Sequence, residues 1–261
     1  MIGKHDMPLE HEKYITSAGV VALIDVDRTI LNTDTVFDII VDALRQEGVD
    51  SKVLESVVAR GKQAKEQAFD YLTAISKQAP GIHIEPAVIV DRISSEYDAE
   101  SLIEKVIAPG AVEMICALKD VGAYTLLLTA GGEATQKTKL LLLETVFSKL
   151  AGSIQLPPWA IIDSSKQYKT QLAEEAYNEV LKIFSLDTLL SHALDSNCLE
   201  SAVTGAEQVL VVDDKLCNVT SVGTSRITGI LVQPAELATD TADGEQRKTL
   251  GEVSAFLRGL S

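Results

Sequence analysis

Acidic and hydroxyl side chains follow apolar runs at three places in this chain of 261 residues. One run leads into Asp25 and Asp27, a second into Thr129, and a third into Asp213 and Asp214. Carboxylates gathered in one place raise one another's pKa and need a counter-charge. A divalent cation supplies that charge, and oxygen ligands without His or Cys favour Mg²⁺ over zinc or copper.

The apolar runs themselves have the pattern of buried strands. Strands are predicted at residues 19–24, 124–128, 159–162, 209–212 and 230–232, with helical patterns between most of them. This alternation predicts an α/β fold, a doubly wound parallel (Rossmann-like) sheet with helices on both faces. Ligands of such sheets bind outside the carboxyl ends of the strands, so the polar residues should meet at one edge.

A long helical stretch interrupts the alternation after the first strand. The predicted organisation is an N-terminal leader at 1–18, an α/β core at 19–34 and 107–261, and an inserted α-helical subdomain at 35–106. Residues 185–207 fit the alternation least well, and we expect them to be helical.

Composition limits the classes of partner. The chain is 46% hydrophobic, and its 38 acidic against 23 basic residues leave a formal charge of −15, which argues against nucleic-acid binding. No apolar run reaches the roughly 18 residues of a membrane span, and the first residues lack the apolar stretch of a signal peptide. Three widely spaced cysteines form neither a disulfide framework nor a zinc site. We therefore expect a cytoplasmic protein with no membrane or nucleic-acid partner.

The order of these features resembles the haloacid dehalogenase-like (HAD) superfamily of hydrolases, over about residues 19–235. The inserted helices match the small α-helical cap that the family carries between its first and second signatures. The signatures are Val-Ala-Leu-Ile-Asp25-Val-Asp27-Arg-Thr29, Leu-Leu-Leu-Thr129-Ala-Gly-Gly, a lysine after the next strand, and Val-Leu-Val-Val-Asp213-Asp214.

The resemblance implies a Mg²⁺-dependent phosphatase that acts on a small phosphomonoester. Asp25 would be the nucleophile that forms an aspartyl-phosphate, and Asp27 would be the general acid and base. The implied metal ligands are the carboxylates of Asp25, Asp213 and Asp214 and the backbone carbonyl of Asp27.

The resemblance also assigns residues to the substrate phosphate. Thr129, Ala130 and Lys169 would hold the phosphoryl oxygens, with Lys166 as the alternative lysine. Lys137 and Lys139 follow the Thr129 loop, and their pattern is that of a solvated helix face.

Two further residues near the signatures depart from the family's usual pattern. Asn218 stands where many family members carry a further acid, and it either reaches the water shell of the metal or caps the next helix. Arg28 replaces the glycine that is often seen in the first signature.

Other functions remain open at this point. A phosphomutase of the same family also needs both Asp25 and Asp27, and a catalytically silent phosphate-binding protein would keep the fold. A dehalogenase is disfavoured because its chemistry dispenses with the acid at the position of Asp27. The sequence indicates neither the substrate nor the oligomeric state.

Overall fold

The computed structural model describes residues 19–63, 69–82, 84–150, 154–162, 189–190, 207–215, 219, 227–232 and 248–259. The predicted leader and the helix predicted after the third strand lie outside these residues. No helix in the described ranges is both long and apolar enough to cross a membrane.

A six-stranded sheet with the order β4-β3-β2-β1-β5-β6 confirms the predicted α/β fold. All neighbouring strands are parallel except β3 and β4, which pair antiparallel. The strands are β1 (Val20–Asp25), β2 (Tyr124–Ala130), β3 (Trp159–Ile162), β4 (Leu189–Leu190), β5 (Gln208–Asp213) and β6 (Ile227–Leu231).

The short strand β4 corrects one expectation. We expected residues 185–207 to be helical, but Leu190 pairs with Ile161 and Leu189 with Ile162 as an antiparallel edge. Two residues are too few to show a hydrophobic periodicity, so only the pairing with β3 reveals this strand.

The central position of β1 explains why its sequence is an uninterrupted apolar run. Ala22 pairs with Thr125 of β2 on one side and with Leu210 of β5 on the other. Both faces of β1 are covered as well, since Val21, Ala22, Leu23 and Ile24 are all at most 2% exposed. Only its last residue, Asp25, is polar, so this strand delivers one carboxylate to the carboxyl edge of the sheet.

Six helices of the described residues follow β1 before β2, and the first five of them, between Thr33 and Val106, cover the stretch predicted to be helical. The third, fourth and fifth of them pack against α7 (Glu133–Lys149), the helix that follows β2. One buried apolar cluster includes residues from these helices and from the sheet, and the subdomain boundaries stay a prediction. The helices are α1 (Thr33–Gln46), α2 (Ser51–Gln63), α3 (Tyr71–Gln78), α4 (Pro86–Glu96), α5 (Ala99–Val106), α6 (Ala111–Asp120), α7 (Glu133–Lys149) and α8 (Leu250–Arg258).

One carboxylate joins the inserted helices to α7. Asp70 caps its own helix α3 by accepting from the Thr73 amide at 3.2 Å, and it also accepts from the Ala134 amide of α7 at 3.0 Å. The Thr135 hydroxyl donates to it at 2.8 Å. The N-cap of α7 is Gly132, where a Cβ would lie 2.1 Å from the Asp70 Cβ. Glycine therefore lets Asp70 approach closely enough to cap two helices at once.

We predict that Asp70→Ala lowers the free energy of unfolding by about 1–2 kcal/mol, because two helix N-termini lose a side-chain cap. Chemical denaturation measures the change. Asp98→Ala is the matched control, since Asp98 caps the single helix α5 by accepting from the Ser101 amide at 2.9 Å. An Asp70→Ala loss no larger than that of the control would show that the contact with α7 contributes nothing.

The stabilisation by Asp70 should depend on pH. Burial acts to raise the pKa of Asp70, but hydrogen bonds from Thr135, Ala134 and Thr73 outweigh it and lower the pKa. The stability difference between the wild type and Asp70→Ala is then complete above the ordinary carboxyl pKa. It disappears as the pH falls through the lowered pKa of the folded protein.

Candidate active site

A tight turn after β1 sets the positions of its two acids. The amides of Ile30 and Leu31 both donate to the Val26 carbonyl at 3.0 Å, which folds the chain back on itself. Within the turn, Arg28 has φ of 62°, the left-handed region that favours glycine. This geometry gives a physical reason for the glycine that Arg28 replaces, and it leaves Asp27 directed towards α7.

Three carboxylates meet at the carboxyl edge of the sheet. Asp25 ends β1 and Asp213 ends β5, the strands are neighbours, and one oxygen each of Asp25, Asp213 and Asp214 lies within 4.8 Å of the others. Asp213 and Asp214 are only 7% and 8% exposed. From β1 the chain first builds the sheet towards β3 and later returns to the other side of β1 with β5. The cluster thus lies at the point where the strand order reverses, the usual ligand crevice of such sheets.

The acids of the cluster and a neighbouring lysine shift one another's pKa. Burial raises the pKa of Asp25 well above its usual range, and Asp213 and Asp27 raise it further, while Lys215 acts in the opposite direction. Partial burial would lower the pKa of Lys215, but the carboxylates around it, led by Asp25, outweigh that effect and raise the pKa. Among the described residues, the Lys215 ammonium therefore faces several carboxylates.

The donor set fits a hard divalent cation. Asp25 Oδ2 is buried and has no hydrogen-bond partner among the described residues. An orphaned carboxylate oxygen beside two further carboxylates offers oxygen ligands alone, which suits Mg²⁺ or a similar ion. The Asp27 carboxylate is not part of this group. That Asp27 contributes its backbone carbonyl stays a prediction.

The Asp27 side chain instead accepts four hydrogen bonds. Its Oδ1 accepts from the Lys139 ammonium at 2.6 Å and from the Thr33 hydroxyl at 3.0 Å. Its Oδ2 accepts from the Thr129 hydroxyl at 3.2 Å and from the Gln136 amide at 3.1 Å. Burial acts to raise the pKa of Asp27, but the Lys139 charge and these hydrogen bonds outweigh it and lower the pKa.

The prediction of a solvated face is wrong for Lys139. Its side chain is 8% exposed and forms an ion pair with Asp27. Lys139 lies three residues after Gln136 and four after Thr135, so the three side chains share one face of α7, and all three are buried. A usable signal was present in the sequence, because a helix that starts directly after a strand end presents its first turns to the site.

The structure brings together the predicted site residues that it describes. Thr129 is 1% exposed and contacts Asp27, and the carbonyl of Ala130, the last residue of β2, accepts from Gln136 Nε2 at 3.1 Å. Lys169, Lys166 and Asn218 lie outside the described residues. The catalytic and ligand roles of all these residues stay predictions.

A comparison with solved structures identifies the fold. A haloacid dehalogenase-like hydrolase from Burkholderia xenovorans LB400 superposes with a TM-score of 0.51 at 17% sequence identity, over 91% of this chain and 96% of the other. This chain has a haloacid dehalogenase-like fold. The HAD-like resemblance seen in the strand-end residues is thereby supported at the level of the backbone.

Two further solved structures superpose with lower TM-scores. A β-phosphoglucomutase structure from Thermotoga maritima has a TM-score of 0.42 at 15% identity, covering 92% of this chain and 99% of that one. A phosphoserine phosphatase from T. onnurineus has a TM-score of 0.40 at 15% identity, covering 94% and 96%. No protein-family model matches the sequence, and no curated protein matches it significantly.

We predict that Mg²⁺ raises the melting temperature of the wild type by roughly 5 °C at saturation, because a bound ion stabilises the folded state. Asp25→Asn should remove this response, since it takes one carboxylate from the cluster. In EDTA the variant should be at least as stable as the wild type, because a buried repulsive charge is gone. Thermal unfolding with and without Mg²⁺ measures both effects.

Asp120→Asn is the matched control, since Asp120 is an exposed acid at the end of α6, which leads into the amino end of β2, opposite the carboxyl ends of β1 and β5. It should respond to Mg²⁺ as the wild type does. A full Mg²⁺ response in Asp25→Asn would mean that the cluster is not the cation site.

Proposed function

We propose that the protein is a Mg²⁺-dependent phosphatase that hydrolyses a small phosphomonoester through an aspartyl-phosphate intermediate. The observation that carries the proposal is the arrangement of two carboxylates on one turn in different surroundings. Asp25 lies in a cluster of acids, whereas Asp27 is held by Lys139 and by the Thr129 hydroxyl. Two carboxylates held in such different surroundings can take different roles at one site.

In the first step the Asp25 carboxylate attacks phosphorus and the bond to the substrate oxygen breaks. Protonated Asp27 gives its proton to that leaving oxygen. In the second step Asp27, now ionised, takes a proton from water as the water attacks the aspartyl-phosphate, which releases phosphate and restores both acids. The contact with Lys139 favours the ionised form of Asp27 and so suits the second step.

The remaining residues of the site would bind the metal ion and the phosphoryl oxygens. Asp25, Asp213, Asp214 and the Asp27 carbonyl would hold Mg²⁺, which would reduce the repulsion between the nucleophile and the phosphate. The Thr129 hydroxyl, the Ala130 backbone and, on the family's pattern, Lys169 or Lys166 would bind the phosphoryl oxygens.

The net charge of −15 supports a small phosphorylated molecule as the partner, rather than a nucleic acid or a membrane surface. The three widely spaced cysteines support a reducing cytoplasmic location.

We predict that purified protein hydrolyses p-nitrophenyl phosphate with Mg²⁺, and that EDTA or Asp25→Asn lowers kcat by about 10³-fold or more, since both remove groups needed for the covalent step. Release of p-nitrophenol gives the rate. Asp120→Asn should retain wild-type turnover. Intact-protein mass spectrometry after rapid quenching should show a phosphoryl adduct that is absent from Asp25→Asn.

A panel of metabolite phosphates extends the experiment. Release of inorganic phosphate supports a phosphatase, whereas interconversion of sugar phosphate isomers without phosphate release would support a phosphomutase. If no phosphate ester reacts and Mg²⁺ leaves the melting temperature unchanged, the catalytic proposal is wrong and a silent binding protein is the better interpretation.

A further inference from the structure

The ion pair between Lys139 and Asp27 joins two segments that are far apart in the sequence. Asp27 lies in the turn after β1 and Lys139 lies in α7, 112 residues later, yet the ammonium is 2.6 Å from Asp27 Oδ1. We propose that Lys139 is a positioning residue for proton transfer, which holds the Asp27 carboxylate where it meets the leaving oxygen of the substrate. This inference rests on the function proposed above.

Burial of the pair indicates a role beyond stability. The side chains of Lys139 and Asp27 are 8% and 21% exposed, so both charges have given up much of their hydration. Buried ion pairs are often no more stabilising than apolar side chains of similar volume, because desolvation offsets their attraction. Leu140, the next residue of α7, is fully buried, so this part of the helix can bury an apolar side chain.

The geometry restricts rotation of the carboxylate. Each oxygen of Asp27 accepts from two donors, and the two pairs lie on opposite sides of the same group: Lys139 and Thr33 on Oδ1, and Thr129 and Gln136 on Oδ2. Lys139 is the charged donor among these four, so the attraction between two opposite charges adds to its hydrogen bond. Its loss should therefore loosen the carboxylate more than the loss of any other single donor.

This role differs from that of the predicted phosphate-binding lysine. Lys139 contacts the proton-transfer acid, and the charge that acts against the Asp25 cluster comes from Lys215. Removal of Lys139 should consequently spare Mg²⁺ binding. It should impair proton transfer to the leaving group, because the loss of a fixed carboxylate orientation costs more than the easier protonation of Asp27 gains.

The test compares two leaving groups. Alkyl phosphates need a proton on the departing oxygen, whereas p-nitrophenolate departs with little help, and general acid catalysis contributes about 10²–10⁴-fold. We expect Lys139→Met to lower kcat/KM for an alkyl phosphate such as glycerol 3-phosphate by about 10²-fold, and for p-nitrophenyl phosphate by less than about 5-fold. The ratio kcat/KM is the right quantity because it reports steps up to the release of the leaving group.

Variants separate positioning from folding. Lys139→Arg keeps the charge and should recover much of the activity towards the alkyl phosphate. Lys137→Met alters the partly exposed lysine two residues earlier on α7 and should leave both substrates unaffected. The Mg²⁺-induced rise in melting temperature should persist in Lys139→Met, because Asp25, Asp213 and Asp214 are intact.

A double-mutant cycle keeps the inference falsifiable even if Lys139→Met is unstable. Adding Lys139→Met to Asp27→Asn removes an ammonium that no longer faces a carboxylate, so the double variant should fold at least as well as Asp27→Asn. If Lys139 acts through Asp27, the second change should alter kcat/KM by less than about 3-fold, which is non-additive behaviour.

Equal losses for both substrates, or a full additional loss in the Asp27→Asn background, would overturn the positioning role and leave the phosphatase proposal standing. A wild type that turns over neither substrate would instead overturn the proposed function, and the positioning role with it.

Discussion

Repulsion between carboxylates at the edge of the sheet is the constraint on which the rest of this site depends. Burial and the neighbouring acids raise the pKa of Asp25, so the folded chain holds this charge at a cost. The structure separates these acids into two groups. Asp27 is turned away from the other acids and paired with Lys139, whereas Asp25, Asp213 and Asp214 are left together with the ligand chemistry of a cation site.

Helix α7 connects the two halves of this arrangement. Its first turn is capped by Asp70 of the inserted helices, and the same face presents Gln136 and Lys139 to Asp27. Residues 134–139 of this one helix thus include donors to Asp70 and donors to Asp27, and three of the inserted helices pack against it. The position of α7 thus affects both the attachment of the inserted helices and the orientation of the proton-transfer acid.

Many features of the site could be predicted from the order of residues along the chain. A buried parallel strand has the sequence pattern of an apolar run, and the residue at its end must lie at the carboxyl edge of the sheet. The positions of Asp25, Thr129 and Asp213 could therefore be predicted from local pattern alone. Lys139 could not be placed in this way. A lysine on a helix is usually solvated, and only contact with Asp27, 112 residues away, makes burial of its ammonium tolerable.

The sequence by itself determined five of the six described strands and the acids at their ends, because buried strands have a recognisable hydrophobic pattern. Only the tertiary structure decided which charges pair. The adjacent β1 and β5 leave Asp25 and Asp213 side by side, while the turn at Arg28 and the packing of α7 bring Asp27 to Lys139. The strength of a charge pair depends on distance and burial in three dimensions, and residue spacing along the chain contains neither.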